Sequence, residues 1–142
     1  MKIEYSIVIN RPVDTVFAYV ANLENLKQWQ SGLIESRPVT PGPTRVGSKV
    51  AVVRQLLGQK LEGVAEVVAF EPGRVVSVRV TAGPMSVTAT NTFEALGNTT
   101  KLTSAGELDM EGLLKLAGPL AAGGVKKQME ENLENLKKIL EQ

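Results

Sequence analysis

Residues 2–10 alternate along the chain, with Ile3, Tyr5, Ile7 and Ile9 on one face and Lys2, Glu4, Ser6 and Val8 on the other. That period of two predicts a first strand, because successive side chains of an extended chain point to opposite faces. Asn10-Arg11-Pro12 interrupts it. Asn10 is a candidate helix cap, and Pro12 suits a first helical turn, where its missing N–H costs nothing. Val13, Val16, Phe17 and Val20 then recur at helical spacing and predict a short amphipathic helix over 12–20. Asn22 is placed to cap a second short helix through Leu23, Leu26 and Trp29, with Glu24 and Asn25 in its first turn.

From residue 32 onward the period returns to two. Strands are predicted at 33–40, 48–57, 60–71, 74–82, 84–95 and 99–109. Between them lie the turn-rich stretch 41–47, Gly58-Gln59, Glu71-Pro72-Gly73-Arg74, Gly83-Pro84 and Gly97-Asn98. The Glu71–Arg74 segment is the strongest turn signal, with Pro suited to one central position and Gly to the next. Connections this short imply an antiparallel meander, since parallel neighbours need long crossovers. From Glu111 to Gln142 the chain is helical in character. Leu113, Leu116, Leu120, Val125, Met129, Leu133, Leu136 and Leu140 recur at spacings of three, four or five. Pro119 predicts a break or kink near 117–119, followed by one continuous helix over 120–140. Gly123-Gly124 would let that helix approach a sheet closely.

The order of elements predicts an α+β fold in which one face of a curved sheet is covered by the long C-terminal helix. At 142 residues the chain fits one domain spanning 1–142. Many strand residues are small: Ala51, Ala65, Ala69, Ala82, Ala89, Ala105, Gly63 and Gly106. A curved sheet lined by such residues and closed by one helix need not fill its core, which points to an internal apolar cavity. The competing outcome is that the helix leucines fill it.

Sixteen basic residues against fifteen acidic ones leave a formal charge of +1, a field too weak to steer toward nucleic acid or an anionic membrane. Lys126-Lys127 and Lys137-Lys138 are interleaved with Glu130, Glu131 and Glu134, the pattern of a solvated helix face. The chain has neither cysteine nor histidine. Thiolate nucleophiles, zinc-thiolate sites, Fe–S clusters, Ser-His-Asp chemistry and imidazole-ligated metals are thereby excluded. Gly118-Pro119 and Gly123-Gly124 lack the lysine and strand-turn-helix context of a phosphate loop, and the acidic residues form no calcium loop. No cofactor is implied. The N-terminus lacks the apolar core of a signal peptide and no segment reaches membrane-spanning length, so a cytoplasmic protein without membrane insertion is expected.

Four stretches carry a resemblance to a known family: IVINRPVDTVFAYVANLENLKQW at 7–29, VVAFEPGRVVSVRV at 67–80, TNTFEALGNTTKLTSAGEL at 90–108 and QMEENLENLKKILE at 128–141. In their order and spacing the chain resembles the START-like, or Bet v 1-like, superfamily (SRPBCC), specifically its polyketide cyclase/dehydrase and lipid-transport branch. The resemblance covers essentially the whole chain. It implies a helix-grip fold, with a seven-stranded antiparallel sheet around the terminal helix and two short helices after the first strand. Members bind hydrophobic ligands between sheet and helix, and some are cyclases or dehydratases. Catalytic members commonly project Tyr, His, Arg, Asp or Glu into the cavity. This chain has no histidine and only Tyr5 and Tyr19 as tyrosines.

Candidate ligand-binding residues follow from position and strand parity. Trp29 ends the second short helix, near the expected cavity mouth, where an indole covers an apolar ligand while its N–H meets a polar group. Arg54 shares a face with Val50, Val52 and Leu56. Asn91 shares one with Met85, Val87, Ala89 and Phe93. Glu66 shares one with Val64, Val68 and Phe70, and an inward Glu66 would be a carboxylate among apolar groups with a raised pKa. By the same alternation Arg79 faces outward. Leu120, at the start of the final helical run, completes the set. The leading expectation is binding or carriage of an uncharged or weakly polar hydrophobic molecule, by a monomer or homodimer. A cyclase-like enzyme using Arg54 and Glu66 as clamp and acid or base is the first alternative. A partner-binding or dimerisation module is the second.

Overall fold

The computed structural model describes residues 2–56, 58–83, 85–109 and 121–142. β1 (Lys2–Ile9), α1 (Val13–Ala21), a 3-10 turn (Leu23–Asn25) and α2 (Leu26–Trp29) precede the main run of strands. These are β2 (Leu33–Pro38), β3 (Lys49–Leu56), β4 (Gln59–Glu71), β5 (Val75–Ala82), β6 (Met85–Leu96) and β7 (Thr99–Leu108), followed by α3 (Ala121–Leu140). The seven strands form one antiparallel sheet in the order β1-β7-β6-β5-β4-β3-β2. β1 and β2 are therefore the two edges, and α1 and α2, which lie between them in sequence, carry the chain from one edge to the other. This is the helix-grip arrangement. Among the described residues no helix is long and apolar enough to cross a membrane.

Local chemistry accounts for most boundaries. Pro72 and Gly73 close the β4–β5 turn, with Gly73 at φ +75° and the Arg74 N–H donating to Glu71 O at 3.0 Å. A residue with a Cβ is disfavoured at that φ. The Asn22 side chain accepts from the Glu24 N–H at 3.1 Å, as a cap should. It caps a 3-10 turn, and the expected single second helix divides into that turn and α2. Asn10 does not cap α1. Pro12 occupies the cap position in extended conformation, and the Asn10 N–H instead donates to the Glu141 carboxylate at 2.7 Å. β2 ends at Pro38, two residues earlier than its pattern predicts. The kink expected near 117–119 lies outside the described residues.

α3 is fastened at its C-terminal end. Arg11 Nη1 donates to Leu140 O at 3.1 Å, and Lys137 Nζ donates to Val8 O at 2.7 Å and to Glu141 at 2.6 Å. The Lys137 bond, with the Asn10 N–H, holds the Glu141 carboxyl below its usual value. Beneath this end the core is solid. Leu133, Leu136 and Leu140 are buried with Ile9, Val16 and Leu102, and Phe17 meets Phe70 and Phe93 edge-on at 5.6 and 5.0 Å. Toward its N-terminal end the helix passes over smaller residues. A Cβ on Gly106 would come within 3.2 Å of the Met129 methyl, so that side chain packs directly on the bare backbone of β7.

A bulge in β4 decides which residues reach the interior. Its register against β5 shifts between Val67 and Ala69, which puts one extra residue on the β4 side. Ala65 and Val67 are buried before the shift, and Phe70 faces the same core after it. The bulge thus brings members of both parity sets to one face.

Candidate functional site

The space between the sheet and the N-terminal half of α3 is a cavity of about 160 Å³. Its floor is Ala65 of β4, Val76, Val78 and Val80 of β5, and Val87, Ala89 and Asn91 of β6, with Ser104 of β7. Val125, Gln128, Met129, Asn132 and Leu133 of α3 form the roof, and Val20, Leu23, Leu26, Trp29 and Gln30 close one end with Arg54 of β3. The small strand residues keep this region open. Ala65 and Ala89 line it, where larger side chains would fill the space that Phe17, Phe70 and Phe93 fill at the other end of the fold.

Trp29 is placed by the turn after α2. Gln30 closes the helix by donating to Leu26 O at 3.0 Å, and Gly32 then passes against β3. Gln55 donates its N–H to Gly32 O at 2.7 Å, and a Cβ on Gly32 would sit only 2.9 Å from Gln55 O. Only glycine permits that approach. The turn is latched to α3 by amides: Gln128 Nε2 donates to Ser31 Oγ at 2.6 Å, the Ser31 N–H to Asn132 Oδ1 at 3.0 Å, and Asn135 Nδ2 to Trp29 O at 3.4 Å. Gln128, Asn132 and Asn135 follow the spacing i, i+4, i+7. They form a polar stripe beside the apolar one and were legible as such in the sequence. Trp29 is thereby held against the cavity with its ring buried, and its indole N–H has no hydrogen-bond partner.

Arg54 enters from the same end. It is registered opposite Leu33, four residues beyond Trp29, and its strand neighbours Val50 and Val52 are buried. Arg54 is half-buried, with its Nε shut off from solvent and without a hydrogen-bond partner. Among the described residues no carboxylate forms an ion pair with it. Burial without a counter-ion pushes the guanidinium down to about 10, so it remains charged at neutral pH. Asn91 and Ser104, both buried, are cross-strand partners in the floor, and the Asn91 Oδ1 also lacks a hydrogen bond.

The structure thus brings Trp29, Arg54 and Asn91 to one cavity and leaves Glu66 outside it. Glu66 lies on the outer face of β4 with Glu62 and the exposed Val64, in register with Lys49 on one side and Arg79 on the other. The grouping of Glu66 with Phe70 fails because the bulge separates them in phase. An Arg54–Glu66 acid–base couple is accordingly not formed. Arg79 is exposed, as alternation predicts. Met85 opens β6, but its side chain, like the whole of Leu120, lies outside the described residues. Gln30, Ser104, Gln128 and Asn132 were missed as lining residues. Among the described residues no cluster could hold a metal ion.

The arrangement is suited to binding. The wall is apolar, with isolated polar groups of the kind that orient a ligand in such a space. Arg54 is its ionisable side chain among the described residues, a donor and an electrostatic anchor and not a base.

The fold recurs in several solved structures. An aromatase/cyclase, ZhuI from Streptomyces sp. R1128, superposes with a TM-score of 0.82 at 15% identity, over 99% of this chain and 93% of that one. A protein from Thermus thermophilus gives 0.80 at 17% identity, over 99% and 97% of the two chains. The protein Ara h 8.0201 gives 0.73 at 14% identity, over 99% and 97%. At such identities the likeness is one of fold. No curated protein matches the sequence at a significant level. The family described as polyketide cyclase / dehydrase and lipid transport matches residues 1–141. Its match along the whole chain, on this sheet and this helix, makes the chain a member of the polyketide cyclase/dehydrase and lipid-transport family.

Proposed function

We propose that the protein binds and carries a small, largely apolar molecule in the cavity between sheet and α3 without transforming it. The observation that carries this reading is the cavity itself: about 160 Å³ of space walled by valines, alanines, leucines and Trp29. A single ring burying ~150 Å² of surface there gains about 4 kcal/mol from desolvation, before the entropy of association is subtracted. Polar contacts must then supply the remaining affinity and the selectivity, and Trp29 Nε1, Arg54 Nε and Asn91 Oδ1 are the groups with unused capacity.

The test joins recovery with titration. Protein purified from cells under native conditions should retain a small molecule detectable by mass spectrometry and extractable into organic solvent. The stripped protein should show saturable change in the emission of Trp29 when that extract is returned. Replacing Trp29 by Phe should weaken binding by ~0.5–2 kcal/mol, since an aromatic body remains while the N–H and some contact area are lost. A Trp29→Phe variant that loses stability but keeps full affinity would assign the indole to packing alone. The unpaired guanidinium of Arg54 favours cyclase-type catalysis as a second reading. Turnover of an aromatic polyketide precursor, abolished in a folded Arg54 variant, would put that reading first.

A further inference from the structure

Three observations about the closed end of the cavity have no structural explanation of their own. Arg54 is a half-buried cation with no ion pair among the described residues, and its Nε is shut off from solvent without a hydrogen bond. Trp29, which approaches from the chain segment registered beside it, has an unsatisfied N–H. Both groups are donors, so an occupant that satisfies them must offer acceptors. A charge held partly out of water without a counter-ion costs stability. Nε belongs to the side-on edge of the guanidinium, which with a terminal nitrogen takes a carboxylate through two parallel hydrogen bonds.

Size narrows the occupant further. A dry apolar cavity of about 150 Å³ accommodates benzene, and the present one measures about 160 Å³. That matches one ring with small substituents.

Resting on the carrier reading above, we propose that the occupant is a monoanionic carboxylic acid with a compact apolar body of about one ring. Its carboxylate seats on Arg54, and its body lies on Val76, Val78, Val80 and Ala89. This replaces the uncharged ligand that the sequence suggests.

The probes are 4-ethylbenzoate and its neutral near-isostere 4-ethylbenzyl alcohol, titrated calorimetrically into stripped protein at neutral pH. Wild-type protein should bind the benzoate about 10–100-fold more tightly than the alcohol, the range of hydrogen bonds to a charged group. Arg54→Met should remove most of that preference while changing alcohol affinity little, Arg54→Lys should retain part of it, and Glu66→Gln, on the outer face, should leave both affinities unchanged. The wild-type comparison stands even if a variant folds poorly. Equal affinity for the two probes, or benzoate binding untouched by Arg54→Met, overturns the acid assignment and leaves the carrier reading intact. Failure of both probes with recovery of a larger molecule from cells does the same. Failure of both probes with nothing recovered overturns both.

Discussion

Replacing Arg54 by methionine should make the empty protein more stable, by an amount that follows from the unpaired guanidinium. Burial lowers its pKa from the ordinary arginine range to about 10. At ~1.4 kcal/mol per tenfold change, that fall corresponds to about 3 kcal/mol by which the folded state disfavours the charged form. The sign is that of a base whose folded value lies below its unfolded one. Below about pH 10 the group is charged in both states and the full penalty is present; it is relieved only as the pH rises through the folded value. Methionine preserves most of the aliphatic stem and removes the charge, so a gain of ~1–3 kcal/mol is expected, within the range seen when buried charges give way to apolar residues. Urea denaturation of stripped wild type and variant gives the comparison. The midpoint should rise with an unchanged slope, and the gain should be the same at pH 6 and pH 8. Excess 4-ethylbenzoate should offset that gain, because a ligand at about 100 times its Kd adds ~2.7 kcal/mol to wild type and less to a variant that binds it more weakly. A variant less stable than wild type by ~1 kcal/mol or more without ligand would mean that the guanidinium is satisfied, and would refute the reasoning.

Other perturbations test the scaffold. Leu133→Ala and Leu136→Ala should each destabilise by ~2–5 kcal/mol, because both side chains are 1% exposed or less and pack into the core cluster; losses under ~0.5 kcal/mol in chemical denaturation would show that α3 presents another face. Gly63→Ala should cost ~1–3 kcal/mol, since its Cβ would run into the Thr81 carbonyl and Ala82 on the paired strand β5; an unchanged thermal midpoint would argue against that close approach.

Much of the architecture was readable from local pattern. Alternation in residues 2–9, the Pro72-Gly73 turn, the Asn22 cap and the leucine spacing of α3 each reflect a steric or hydrogen-bonding preference acting within a few residues. Parity offered Arg54 and Asn91 as inward candidates, and it holds along their strands because no register shift falls along β3 against β4 or along β6 against either neighbour. Whether Glu66 shares the face of Phe70 was not readable from parity, because a bulge adds one residue without any sequence mark strong enough to announce it, and every side chain beyond it changes face. The amide stripe of α3 was visible as a period, but its partner, the Ser31–Gly32 turn, is about a hundred residues away in sequence and meets it only in the folded chain. Residue types and local periods set the elements and their apolar faces. The convergence of Trp29, Arg54 and Asn91 on one cavity, and the absence of a counter-ion beside Arg54 among the described residues, depend on how distant strands and the helix pack, because charge compensation is a property of three-dimensional neighbours.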